Sequence, residues 1–182
     1  MADFIWHYDS PLGGITLACD GDALTGLWFD GQKHFAETLD PEHTEKRLPV
    51  LAEAERWLDL YFSGMAPEFT PKLALRGTPF RKTVWEILQA IPCGETMTYG
   101  EIAILTADRL RVPRVSPRAV GGAVGHNPVS LIVPCHRVVG ADGSLTGYAG
   151  GVGRKLKLLE AEKAAVSRNG RQDAHYTAAR TV

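Results

Sequence analysis

Between Asn127 and Arg137 the chain reads Asn-Pro-Val-Ser-Leu-Ile-Val-Pro-Cys-His-Arg, an apolar run that ends on a thiol, an imidazole and a guanidinium in succession. A thiol attacks as thiolate, and a neighbouring base or cation promotes that form. Leu131, Ile132 and Val133 suit an interior and Pro134 interrupts them, so Cys135 stands where a buried segment enters a polar patch. The pattern fits nucleophilic chemistry at sulfur. It also fits a buried cysteine beside a surface histidine, because neighbours in an extended segment point to opposite faces. For Cys135 and His136 to act together, a turn or a bridging water must join them.

The other thiols compete poorly. Cys93 lies between Pro92 and Gly94, turn formers without a base, and Cys19 sits in an apolar stretch. Three cysteines cannot all pair, and none has the Cys-x-x-Cys spacing of a zinc or redox site, so a reduced compartment and no metal are expected. His7, His34 and His43 are scattered among carboxylates and read as surface or core-edge residues rather than metal ligands. The chain has 182 residues, with 45% hydrophobic residues and four tryptophans, enough for one domain or two small lobes. No apolar run is long enough for a membrane span, and the start lacks the basic and apolar regions of a secretion signal. A cytoplasmic address is expected.

The elements that must position Cys135 follow a charge boundary. Residues 1–71 hold 4 Lys+Arg against 13 Asp+Glu, and residues 72–182 hold 16 against 8. A basic second part fits a polyanionic partner; charge segregation could equally hold the two parts together. In the first part, Ile15–Cys19 and Leu24–Phe29 flank Asp20-Gly21-Asp22 and predict a hairpin, with Phe4–Tyr8 as a third strand. A helix opens at Pro49 and places Val50, Ala54, Trp57, Leu58 and Tyr61 on one face. Nothing there carries chemistry. The boundary falls in the proline-rich stretch 67–79.

The second part is helical. Thr78-Pro79 starts a helix through Val84, Ile87, Leu88 and Ile91. Thr98-Tyr99-Gly100-Glu101 reads as a capping box for a short helix through Ile102, Ile104 and Leu105. Residues 106–115 read as a basic loop, and Ser116-Pro117 starts the helix Arg118–Val124, so a helix-turn-helix is expected. After Arg118 this helix offers Ala119, Gly121, Gly122 and Ala123. That smooth surface is poor at reading a major groove but suited to close approach to a narrow one; close helix packing is the other explanation. Thr146–Gly151 is glycine-rich with one aromatic, Tyr148, and lacks the Gly-Lys-Ser/Thr ending of a phosphate loop. A final amphipathic helix, Val152 to about Ala165, turns Leu156 and Leu159 inward. Glu162 follows one turn later and is either solvated or paired with His136.

Pro134-Cys135-His136-Arg137-Val138, preceded by Asn127-Pro128, resembles the active-site signature of the O6-alkylguanine-DNA alkyltransferases. The likeness continues in order through Thr78-Pro79-Phe80, Ile91-Pro92-Cys93-Gly94, Tyr99-Gly100-Glu101-Ile102-Ala103, Arg118-Ala119-Val120-Gly121, Gly147-Tyr148 and Leu158-Leu159-x-x-Glu162. It covers residues 77–165 best. The resemblance implies an α+β protein: an N-terminal ribonuclease-H-like α/β lobe (1–76), then a mostly helical DNA-binding and alkyl-transfer domain with a helix-turn-helix (77–165). A loose C-terminal tail (166–182) is expected to follow.

The resemblance also implies roles. Cys135 takes the alkyl group from O6 of a flipped guanine, and His136, held by Glu162, acts through a water as base. Asn127 ties the recognition helix to the active-site turn. Arg118 enters the base stack, and Tyr99 crowds the 3′ phosphate and protonates the leaving guanine. Ala119, Gly122, Ala123 and Arg137 meet DNA at the minor groove, and Tyr148, Val138 and Gly150 line the pocket. The expected protein is a monomeric, self-inactivating methyltransferase without cofactor. Ala149 departs from members with a serine that bonds the base. Two other classes stay open: a module that binds alkylated DNA without repairing it, and a Cys-His hydrolase.

Overall fold

In the computed structural model, which describes residues 2–178 and side-chain surroundings as far as Asn169, the first part is a four-stranded sheet with a helix against it. Strands β1 (Asp3–Ser10), β2 (Gly13–Cys19) and β3 (Leu24–Phe29) form an antiparallel meander. In the β2–β3 turn the Asp20 carboxylate accepts from the amides of Asp22 and Ala23, the short-range bonding that makes aspartate a turn former. A short edge strand, β4 (His43–Glu45), runs parallel to β1. All its residues are exposed, so no apolar pattern marks it in the sequence. Helix α1 (Pro49–Phe62) buries the face that the sequence predicts, with Leu51 added.

In the second part α2 (Pro79–Gln89), α3 (Tyr99–Leu110) and α4 (Pro117–Gly125) pack on one another. Each begins at a side-chain cap: Thr78 accepts from the Arg81 amide, Thr98 and Glu101 form the reciprocal box, and Ser116 accepts from the Ala119 amide. Trp85, fully buried on α2, donates its indole N–H to the Ala123 carbonyl of α4 at 2.8 Å.

The helix-turn-helix of α3 and α4 corrects the predicted basic loop 106–115. Helix α3 continues to Leu110, and only residues 111–116 connect it to α4. Thr106 is the reason: its hydroxyl donates to the Ile102 carbonyl at 2.7 Å, and the side chain is buried as if apolar. The buried face is therefore Ile102, Ala103, Thr106 and Ala107, which leaves Ile104 71% and Leu105 42% exposed. Strand β5 (Met97–Thr98) pairs in parallel with β6 (Val138–Val139), fixing the start of α3 beside the end of the Cys135 turn.

Helix α5 (Val152–Ala178) closes the molecule. Its inward face is Lys155, Leu158, Leu159, Glu162 and Ala165, while Leu156, expected to face in, is 45% exposed. The helix passes the point where polar composition predicts a loose tail from 166. No proline interrupts 166–178. The last residues, 179–182, lie outside the described part. No helix among the described residues is long and apolar enough to cross a membrane.

The two parts share one core. The Leu27 amide of β3 donates to the Pro128 carbonyl (2.8 Å), and the Ser130 amide donates back to the Leu27 carbonyl (2.9 Å). The sheet thus continues by a parallel bridge into the segment that leads to Cys135.

Candidate active site

Residues 127–134 form a tight, over-determined loop between α4 and the thiol. Asn127 is buried; its Oδ1 accepts from the Val129 amide at 3.0 Å and its Nδ2 donates to the Val133 carbonyl at 2.8 Å. Leu131 holds φ at 70°, a left-handed conformation that costs a non-glycine residue on the order of 1 kcal/mol or more. The bonds to Asn127 and to β3 hold it there. The chain then makes a single 3-10 turn over Cys135–Arg137, with the Cys135 amide donating to the Val133 carbonyl. Successive residues of such a turn point about 120° apart. The thiol and imidazole therefore diverge, and His136 turns toward α5.

There it meets Glu162. His136 Nε2 lies 2.6 Å from Glu162 Oε1, and both side chains are buried. The carboxylate also accepts from Tyr61 Oη (2.9 Å), Arg137 Nε (2.9 Å) and Nη2 (3.0 Å), and the Gly94 amide (3.4 Å). Burial alone would raise its pKa, but the bonds from His136 and Arg137 outweigh it and hold the carboxyl at about 2. Burial lowers the imidazole pKa, against the opposing pull of Glu162. A neutral His136 that donates from Nε2 keeps its lone pair on Nδ1. Among the described residues Nδ1 has no hydrogen-bond partner.

Burial pushes the Cys135 thiol up, and Asn127, Lys155 and Ser130 pull it back. Lys155 was invisible to sequence reasoning, although it is fully buried. Its ammonium donates to the Val138 and Thr146 carbonyls, pinning β6 to the glycine-rich segment. Burial lowers its own pKa, opposed by the Cys135 charge. The one available signal was its phase, on the same α5 face as Leu158, Leu159 and Glu162. Tyr61, at the end of α1, was likewise read as packing alone, and it corrects the expectation that the first part carries no chemistry.

A cavity of about 230 Å³ opens between α4 and the glycine-rich segment, lined by Gly121, Gly122, Gly147, Tyr148 and Ala149 together with His34 and His126. It is smaller than the roughly 300–1,000 Å³ of drug-sized sites, which suits one flat ring system. Tyr148 is the shared wall: its ring lines the cavity, and it lies near enough to Cys135 to feel its charge. Its buried hydroxyl has no partner among the described residues. The Tyr99 hydroxyl donates to the carbonyls of Thr146 (3.1 Å) and Gly147 (3.4 Å), and its ring packs near Gly121. Val138 and Gly150 are buried supports: a Cβ on Gly150 would stand 2.6 Å from the Tyr148 ring.

Arg118, Ala119 and Gly122 share the exposed side of α4. Ala123 does not join them: it is buried with Val120 and Val124, one residue out of phase with that side. Arg137, expected to meet DNA, is held inside the protein. Its guanidinium is spent internally on both oxygens of Glu162 and on the Ile91 carbonyl at 2.6 Å.

Comparison with known proteins bears on this geometry. Residues 79–164 match the family model for the 6-O-methylguanine DNA methyltransferase DNA-binding domain, and residues 6–75 match that family's ribonuclease-like domain. The chain is 47% identical over 162 residues to the methylated-DNA–protein-cysteine methyltransferase of Mycobacterium tuberculosis H37Rv, covering 86% of this chain and 92% of that one. The Haemophilus influenzae protein of the same name is 38% identical over 159 residues, covering 86% and 84%. Among solved structures, M. tuberculosis OGT in complex with DNA aligns with TM-score 0.76 at 44% identity, over 91% of this chain and 94% of that one. The Methanococcus jannaschii O6-methylguanine DNA methyltransferase aligns with TM-score 0.60 at 30% identity, over 87% and 93%.

Proposed function

The chain belongs to the 6-O-methylguanine DNA methyltransferase family, and on that footing we propose that Cys135 is the cysteine that accepts the alkyl group. The protein repairs alkylated DNA by moving the alkyl group onto a cysteine of its own. The observation that carries the residue assignment is the buried His136–Glu162 pair at 2.6 Å, built on the residue next to Cys135.

Glu162, ionised and five-fold bonded, fixes the imidazole with Nε2–H toward itself and Nδ1 free. A water bound at Nδ1 takes the thiol proton and passes it to the imidazole, while Lys155 and Asn127 stabilise the thiolate. The sulfur attacks the alkyl carbon in line: the C–S bond forms, the O6–C bond breaks, and the electron pair leaves on the guanine, which is then protonated. Tyr99 is the candidate donor of that proton once its hydroxyl exchanges the Thr146 carbonyl for the base. Among the described residues no group is placed to cleave the thioether, so each molecule reacts once.

Guanine O6 lies inside the paired stack, so the base must be everted, at a cost of a few kcal/mol. Arg118, exposed at the start of α4, fills the vacated place, and the smooth side of Ala119 and Gly122 lies along the minor groove of the duplex. The everted base enters the cavity against Tyr148 and the Gly147–Gly150 backbone. We assign residues 1–76 and 77–165 as the two domains, acting as a monomer in the cytoplasm.

Mixing the protein with duplex carrying labelled O6-methylguanine tests this. One label per chain on Cys135 is expected, and none on Cys135→Ala, whose duplex affinity stays within about two-fold. Tight binding without transfer by the wild-type chain favours the binding module, and repeated ester turnover favours the hydrolase.

A further inference from the structure

At the cavity that His34 and His126 line, two distant parts of the chain converge. His34 and Glu37 lie on the loop after β3, and His126 caps the end of α4. Their donor atoms all lie within 4.8 Å of one another. The two imidazole rings are 3.9 Å apart, centroid to centroid, and tilted by 32°. Glu37 Oε1 is 2.6 Å from His34 Nδ1, and its Oε2 is 3.9 Å from His126 Nε2. The alkyl-transfer chemistry uses none of the three.

We propose that His34, Glu37 and His126 form a binding site for a divalent transition-metal ion of the zinc type, which clasps the first-part loop to the recognition helix. Two imidazoles and one carboxylate are a ligand set that zinc, copper and nickel accept, with the fourth position open. Ligands bonded at 2.0–2.2 Å around a tetrahedral ion stand roughly 3.3–3.6 Å apart. An ion therefore needs the His34–Glu37 contact to open by about 1 Å or less, the His126–Glu37 contact to close by less than that, and no pair of donor atoms to close by more than about 1.5 Å.

The orientation of His126 supports coordination. Its Nδ1 lies 2.7 Å from the Gly122 carbonyl, to which it can only donate, so Nε2 is the nitrogen left to face Glu37 and, in the neutral ring, to ligate. Ligating histidines are oriented in this way by a carbonyl behind them. The loop side is also aimed: His34 (φ 59°) and Ala36 (φ 55°) both hold left-handed backbone, which non-glycine residues adopt at a cost. A simple His34–Glu37 ion pair accounts for neither the second ring nor its bond to the Gly122 carbonyl. The neighbouring Lys33 amide donates to the Ala149 carbonyl at 3.1 Å, so the same loop is tied to the pocket wall. An ion here fixes the loop across the entrance that Tyr148 backs.

The site does not depend on the repair reading, and its test reads metal and not alkyl transfer. Zn²⁺ titrated calorimetrically into the reduced full-length protein should bind one ion per chain. Affinity should fall at least ten-fold in His34→Ala and in His126→Ala, and by a smaller factor in the near-isosteric Glu37→Gln. It should stay unchanged in Cys93→Ser and Cys135→Ser. Co²⁺ in the same site should show no thiolate charge-transfer band. Zn²⁺ should slow amide exchange over residues 31–39 in the wild type but not in His126→Ala, with metal-free unfolding curves showing that the variants fold. Affinity that survives both histidine substitutions, that falls in Cys135→Ser, or that comes with a thiolate band overturns the site. Binding without slowed exchange overturns the clasp.

Discussion

Glu162 is the side chain on which the most charge converges, and its titration reaches stability as well as reactivity. Folding depresses its pKa from 4.5 to about 2, so the stabilisation is fully present above 4.5 and is lost as pH falls toward 2; a shift of that size is worth roughly 3 kcal/mol. Buried His136, its pKa lowered from 6.5, acts in the same sense: below 6.5 the unfolded chain takes the proton first. Urea unfolding followed from pH 7 to 3 should show falling stability, and Glu162→Gln should flatten the lower part of that slope. The same variant loses the ionic anchor of the His136 tautomer, so transfer should slow by about 10²-fold or more. Lys155 sets a second test. With Lys155→Met the thiol loses its nearest cation, so the rise in rate of a small thiol-alkylating probe should shift to higher pH, by the direction of the Lys155 effect on Cys135. An unshifted profile removes Lys155 from the thiolate's support and leaves it a clamp on the pocket wall.

Helix α4 shows how much of an element could be read in advance. Its Ser116 cap, its proline start and its glycine pair were legible, as were the box at Thr98 and the apolar face of α2, because these signals are local. Two faces were misread for one reason: a polar residue occupied a buried position. Thr106 hides its hydroxyl in its own helix, and Lys155 spends its ammonium on carbonyls that the folded chain alone brings near, so neither could be recognised as interior from its type. Whether the glycines of α4 serve packing or a partner was undecidable from sequence, and the structure separates them. A Cβ on Gly122 would meet nothing within 4 Å. Gly122→Ala should therefore stabilise the fold by about 0.5–1 kcal/mol through helix propensity. Gly122→Leu should fold equally well yet bind duplex at least ten-fold more weakly. If its affinity matches wild type, the outer side of α4 does not lie against DNA.

Across the whole molecule, the first part is a structural partner of the site. Strand β3 exchanges bonds with Pro128 and Ser130, and α1 supplies the Tyr61 hydroxyl to Glu162 at 2.9 Å. The charge boundary that divides the sequence thus does not divide the core, and composition could not reveal this, since Tyr61 looks like any aromatic on an apolar face. Burial first, then the Glu162 charge and bond, raise its pKa far above the usual phenol value, so it serves as a fixed donor and not as an acid. Tyr61→Phe should remove one hydrogen bond to a buried charge, on the order of 1.5–3 kcal/mol, and slow alkyl transfer by less than Glu162→Gln does. The shared core further requires that the two parts unfold together. In native-state hydrogen exchange the Leu27 and Ser130 amides, which cross between the parts, should open only with global unfolding, at the same free energy as the amides of α2. In Tyr61→Phe all of them should fall by the same amount. If the crossing amides exchange well before those of α2, the sheet and the active-site segment separate in the native state, and the first part cannot be what holds the thiol in place.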